Sequence, residues 1–595
     1  MPYLLNYSRL PVNEFIYDPR IAYSMHLALS EDGRDYMPLN HNSGVLFGKA
    51  TENEDGSLNP KCLKNPWIFR PDDNTYGVLA VRCAGEGEAD EESKGSVFLY
   101  TTKDFLVYSD GHPIELDCCY IEKVMVAESA EHNCHILYWQ NEQGTWKCLK
   151  VADWNFVDAK AAETCAPMEM SLPEISIEGA VPHNVLEIPE NIADRLRKKL
   201  LTPVNTGMEF PKEITVSSKE ELQAYKATAL YSDSTQCSKQ VDWDLTEVDF
   251  SKDGTYELTG QIHQEHFAFP VAFNRADPCI GKWKDKYYFI ATNDADNNHT
   301  LYIREADTIP GLVDAPEILL LDSDTYDYIG GLLWAPEFHE INGRWYIFHA
   351  ATPKEFFWEE SHVLVLKEGG NPACREDWSE PKRVVRRDGS DICEAGKEIT
   401  LDMTTFKWQG RYYAIWSQRQ FLPKDLGAWL YIAELNPDEP WKLLSDPVVL
   451  SKPDYGWANN HTFVEEGPFA LISGEKLYIT FSGAAVDTSY VVSYLSIEKD
   501  KDLLIRENWF KNNYPILTSR SVEGEFGTGH NAYIQDENGD VWNTYHARPG
   551  IEGVRSSGIR RVHFDVDGAP MLDMTEELDV AAAYRTITTK LTVRH

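Results

Sequence analysis

Four carboxylic acids and one imidazole stand at like places in the second half of the chain: Asp277, Glu337, Asp402, Glu466 and His530. Each lies where a short β-type run opens. Carboxyl groups gathered at one place can divide acid–base work. An ionised one takes a proton from water, and a protonated one gives a proton to a departing oxygen. That division of labour is what cleavage of a glycosidic bond requires. Acids crowded into one site repel, so at least one pKa is raised toward neutrality, as a general acid needs. Taken singly, each residue has a plainer reading. Asp277-Pro278 and Glu466-Gly467-Pro468 are turn signals, Asp402 is a capping residue, Glu337 is a structural hydrogen-bonder and His530 is a packed imidazole. Recurrence of a polar residue at one place in every unit favours a shared site.

The elements that must bring them together form an internal repeat. With positions 277, 336, 402, 466 and 530 as markers, the steps are 59, 66, 64 and 64 residues. After each marker come a short strand, a polar turn and an aromatic strand. Examples are Asn342-Gly343-Arg344 before Trp345-Tyr346-Ile347-Phe348, and Gln409-Gly410-Arg411 before Tyr412-Tyr413-Ala414-Ile415-Trp416. Gly and Asn turns between β-rich runs read as hairpins. A unit of this length with several strands is one blade of a β-propeller. The innermost strand of each blade starts near the axis, so equivalent positions converge although they are far apart in sequence. The fold class expected is all-β: a five-bladed β-propeller over 266–595, preceded by a small sandwich and a β-rich N-terminal domain.

Upstream, 209–265 holds short strands at the spacing of an immunoglobulin-like β-sandwich. The segment 166–208 reads as a linker with a short helix from Pro189-Glu190 to Leu201, acidic early and basic late, matching the helix dipole. Residues 1–165 are β-rich and read as a partial propeller or a sandwich. There Lys64-Asn65-Pro66 echoes a blade opening with Asn where the repeat has Asp. An amide cannot take a proton from water, so this domain is expected to be non-catalytic.

Composition limits partners. The net charge is −39, from 56 basic and 95 acidic residues, which disfavours nucleic acid or an anionic membrane. No run of apolar residues is long enough to span a bilayer. The 11 cysteines lack paired metal-ligand spacing. Met1 to Tyr7 has no basic segment followed by an apolar one, so a cytoplasmic location is expected.

The ordered set Arg275-Ala276-Asp277-Pro278, Trp334-Ala335-Pro336-Glu337, Thr400-Leu401-Asp402, Glu466-Gly467-Pro468 and Gly529-His530-Asn531 resembles glycoside hydrolase family 43. The upstream module resembles bacterial Ig-like domains. The resemblance implies a five-bladed propeller and inverting hydrolysis. It makes Asp277 the general base, Glu466 the general acid and Asp402 the residue that raises and orients Glu466. Trp334 is implied in the sugar pocket, and Arg560 or Arg561 in reaching the substrate or the acid. His530 is implied near the axis, beside a calcium or other cation held through water, with no cofactor for the chemistry. The activity implied is exo-acting release of a terminal pentose from a small oligosaccharide, α-L-arabinofuranoside ahead of β-D-xyloside. A glycan-binding propeller without catalysis is the alternative, and an oligomer is compatible with either.

Overall fold

The computed structural model describes residues 1–11, 17–129 and 134–595. Five antiparallel sheets follow one another from Arg275 onward, each a simple meander. The inner strands are Arg275–Trp283, Gly331–Ile341, Glu398–Trp408, Glu465–Ser473 and Glu525–Gln535, here called blades one to five. The hairpins form where the sequence places residues that accept a left-handed backbone. Asn342 and Gly343 (φ 50° and 75°) and Gln409 and Gly410 (φ 49° and 82°) make two-residue turns whose twist matches the flanking strands.

Inner strands of successive blades touch around the ring, and the first touches the last. Blade five has three strands of its own. Its outer strand Ser556–Arg561 is completed by the segment entering blade one: Val271 N–H donates to the Ser557 carbonyl, and Ser557 N–H to that of Ala272, both at 2.9 Å. The ring is thus closed by pairing its two ends, which leaves no exposed edge there.

One distortion recurs in every blade. Each inner strand slips register by a two-residue bulge at its opening. The first bulge residue has a positive φ: Asp277 50°, Ala335 42°, Asp402 54°, Gly467 56° and His530 53°. These are the equivalent positions, so the second and fourth sequence markers shift by one residue. Glu466 precedes its bulge, and Glu337 follows the first residue of its own by two. Bulges re-aim side chains and end regular pairing.

Residues 1–165 do not stand alone. Three four-stranded sheets lie upstream of the sandwich, and the inner strand of one, Lys61–Asp72, repeats the same bulge with Asn65 at φ 49°. It touches Ile121–Glu128 of the next sheet, and both Tyr3–Arg9 and Ala180–Glu187 of the third. The supposed linker therefore contributes a strand, Ala180–Glu187, paired with Tyr3–Arg9. The helix follows at Glu190–Leu200, with Ala193, Leu196 and Leu200 buried. The sandwich is also redrawn. Its second sheet orders Glu213–Val216, Thr586–Val593, Gly254–Ile262 and Val241–Trp243, so the last strand of the chain leaves the propeller. A single apolar core joins Leu27, Phe47, Ile68 and Leu196 to Phe406, Trp457 and Phe481 of blades three and four.

Candidate active site

The blade openings surround a pocket of about 430 Å³ lined by Asp277, Asp402, Glu466, His530 and Trp334 together with Asn298, Phe356, Arg419 and Arg555. Asp277, Asp402, Glu466 and His530 are thus gathered as the repeat implied, and Trp334 lies with them as the resemblance implied.

Asp277 is 6% exposed and fully partnered. Its Oδ2 accepts from Thr292 Oγ1 at 2.7 Å, and Thr292 in turn accepts from Ala335 N–H of the next blade. Its Oδ1 lies 3.0 Å from His546 Nδ1, 3.2 Å from His530 Nδ1 and 3.4 Å from Arg555 Nη1. Burial works against its ionisation, but His530, Arg555 and His546 outweigh it and hold the carboxyl well below the usual range. Burial also pulls both imidazoles down, His546 to about 4. Asp277 N–H also donates to His546 Nδ1 at 3.3 Å, and at neutral pH the permanent charge facing Asp277 is that of Arg555.

Glu466 has the opposite environment. It opens partly to the pocket but is surrounded by protein, and that desolvation pushes its pKa up to about 7. Tyr490 O–H donates to its Oε1 at 2.7 Å and opposes the rise, the charge of Asp277 adds to it, and Arg555 and Arg419 oppose it. Asp402 is buried and raised as well, by desolvation first and then by the charges of Glu466 and Asp277. The two acids interact, so ionising either resists ionising the other. Asp402 Oδ2 also accepts from Gly467 N–H at 3.0 Å, which anchors the backbone beside Glu466. Glycine at 467 leaves room for His530: at φ +56° an added Cβ would lie 3.0 Å from His530 Cγ.

Trp334 lines the pocket with its Nε1–H donated to Asn298 Oδ1 at 2.8 Å and its ring 6.0 Å from that of Phe356. Glu337 is buried and bonded to His339 Nε2 at 2.7 Å, a structural position as read from the sequence. His530 Nε2 is buried without a protein partner. Among the described residues the one group with direct metal-ligand spacing is elsewhere, at Asp117, Cys118 and Cys119.

The arginine expectation is corrected. Arg560 pairs with Glu525 and Arg561 with Asp579, and both line a separate cavity where the propeller meets the sandwich. Arg555 reaches the pocket instead, clasping Asp294 through Nε and Nη2 at 2.9 and 2.8 Å. Sequence reasoning also missed Tyr490, His546 and Arg419. These sit on second and third strands or in loops, outside the repeated opening. His546 follows Tyr545 in an aromatic strand, and that was the one visible signal.

Comparisons with known proteins bear on the family. The model of the family "Glycosyl hydrolases family 43" matches residues 267–570, and that of "Bacterial Ig-like domain (group 4)" matches 225–264. The chain is 30% identical over 314 residues to an extracellular exo-α-(1→5)-L-arabinofuranosidase of Streptomyces avermitilis, across 51% of this chain and 62% of that one. It is 32% identical over 282 residues to a protein of the same name from Streptomyces chartreusis, across 47% of this chain and 81% of that one. An α-L-arabinofuranosidase structure from Lactobacillus brevis aligns with a TM-score of 0.45 at 27% identity, covering 51% of this chain and 95% of that one. The cytoplasmic expectation is overturned here: both Streptomyces relatives are named extracellular, which points to secretion. With its match running from blade one through blade five, the chain belongs to glycoside hydrolase family 43 and carries a bacterial Ig-like module upstream.

Proposed function

We propose that the protein is an inverting, exo-acting α-L-arabinofuranosidase that removes terminal arabinose from arabinose-containing oligosaccharides. One observation supports this above the others: two carboxyls lining a single pocket are driven in opposite directions, Asp277 down and Glu466 up to about 7. Environments that push paired acids apart assign their roles. Asp277, ionised, takes a proton from a water as that water attacks the anomeric carbon. The bond from that carbon to the leaving oxygen breaks, and Glu466 gives its proton to the oxygen. Asp402 holds the backbone next to the acid and keeps the acid pair from losing both protons. Trp334 and Phe356 wall the sugar.

His530 Nε2, buried and unpaired, fits a cation held through water, and His530 is the residue that would hold it. Such an ion would supply positive charge beside Asp277. The names of the Streptomyces relatives support arabinose and an α-1,5 linkage over a β-xyloside. The test is hydrolysis of p-nitrophenyl α-L-arabinofuranoside beside the β-D-xyloside, with the first product anomer read by proton NMR. Faster release from the arabinoside, with the β-anomer appearing first, is expected. Retention of the α-anomer, or preference for the xyloside, would overturn the assignment.

A further inference from the structure

The N-terminal domain does more than pack against the propeller. Besides the shared apolar core and polar contacts away from the pocket, such as His41–Asp573 and Glu178–Arg520, it anchors two loops that flank Glu466. One is the segment 453–464, running from the outer strand of blade three to the inner strand of blade four. Gly456 N–H donates to the Gly48 carbonyl at 3.0 Å, and Ala50 N–H to that of Asp454 at 2.6 Å. Arg20 donates to the Asn459 carbonyl and lies over the Phe463 ring at 5.8 Å. Asp18 lies 2.6 Å from His461 Nε2, and His461 Nδ1 lies 2.9 Å from Asp487. Thr462, Val464 and Val486, next to these anchors, line the catalytic pocket.

The second loop is 420–427 of blade three. Lys424 Nζ meets Asp55 Oδ2 at 2.6 Å and Ser57 Oγ at 2.7 Å, on the hairpin between Thr51–Glu52 and Leu58–Asn59. Arg419 and Ala428, at the ends of this loop, line the pocket too. The two loops are joined to each other: Ala428 N–H donates to the Phe463 carbonyl at 2.9 Å. Among the described residues, Asp18, Arg20 and Asp55 make no hydrogen bond or ion pair with Asp277.

A general acid stands beside the leaving oxygen, so the leaving sugar must lie on the Glu466 side. We infer that the N-terminal domain holds the leaving-group wall of the pocket, through Asp18 and Arg20 on one loop and Asp55 on the other. It thereby sets how the sugar next to the scissile bond is accepted. This inference rests on the hydrolase reading above and adds to it a role for residues outside the catalytic domain.

The experiment compares wild type with Arg20→Ala and, separately, Asp55→Asn, a surface change that leaves the fold's core untouched. Substrates are α-1,5-linked arabinotriose and p-nitrophenyl α-L-arabinofuranoside, whose leaving group makes no sugar contacts. The expected result is a KM for the triose raised about 5-fold or more, roughly the loss of one good contact. The aryl glycoside should stay within about 2-fold, since the rest of the site is unchanged. Equal change on both substrates, or no change on either in both variants, would overturn the inference while leaving the hydrolase reading intact. A wild type inert toward both would instead overturn that reading.

Discussion

Removing one oxygen atom should move the pH profile in a direction fixed by the structure. Tyr490 is buried, its ring stacks on His546 at 5.5 Å, and its hydroxyl donates to Glu466 Oε1 at 2.7 Å. That bond favours the ionised acid, so it works against the desolvation that lifts Glu466 to about 7. Tyr490→Phe keeps the ring and deletes the bond. A hydrogen bond to a charged group contributes about 1.5–3 kcal/mol. The protonated acid also accepts from the hydroxyl, so only part of that difference is lost, about 1 kcal/mol. This corresponds to a rise of about 0.7 pH unit in the ionisation of Glu466. Activity requires the proton on Glu466, so the alkaline limb of kcat/KM should move up by that amount. The substrate must be arabinotriose, because a sugar leaving group needs protonation whereas nitrophenolate departs with little help. A limb that stays put or moves down would refute the reasoning. A uniform loss at every pH would make Tyr490 a packing residue only.

Arg555 supplies the fixed charge at Asp277, so Arg555→Met should raise the acidic limb of kcat/KM toward neutrality, read from the same profile. Arg560→Met, remote from the pocket, should leave both limbs in place and lower Tm through loss of the Glu525 pairing. Gly467→Ala forces a side chain into a left-handed backbone and against His530. It should cost at least about 1–2 kcal/mol in denaturant unfolding and also depress kcat.

The propeller was legible because its hairpin turns and aromatic strands repeat locally, and the turn residues named the correct backbone. The bulge was not. Its left-handed first residue is Asp, Ala, Gly or His by turns, so no residue type marks it, and the alignment slid by one at Ala335 and Gly467. The last strand was misassigned for a similar reason. Thr586–Val593 alternates buried and exposed residues as any half-buried strand does, and its partners Glu213–Val216 and Gly254–Ile262 are set by tertiary pairing over more than 300 residues. Asp277, Asp402 and Glu466 could be found because they belong to repeated openings. Arg555, Tyr490 and His546 lie outside those openings, in loops or on a second strand: Arg555 lines the pocket, while Tyr490 and His546 touch Glu466 and Asp277. Asn65 shows the reverse case: the bulge persists in the N-terminal domain while its amide donates to the Glu122 carbonyl.

The assignment of Asp277 as base and Glu466 as acid is tested most directly by comparing Asp277→Asn and Glu466→Gln on two leaving groups. Removing the base should abolish hydrolysis of both arabinotriose and p-nitrophenyl α-L-arabinofuranoside, by about 10³-fold or more, because water needs activation whatever departs. Removing the acid should cost a similar factor on arabinotriose but far less on the aryl glycoside. Equal losses on both substrates in the Glu466 variant, or appreciable arabinotriose hydrolysis in the Asp277 variant, would contradict the account.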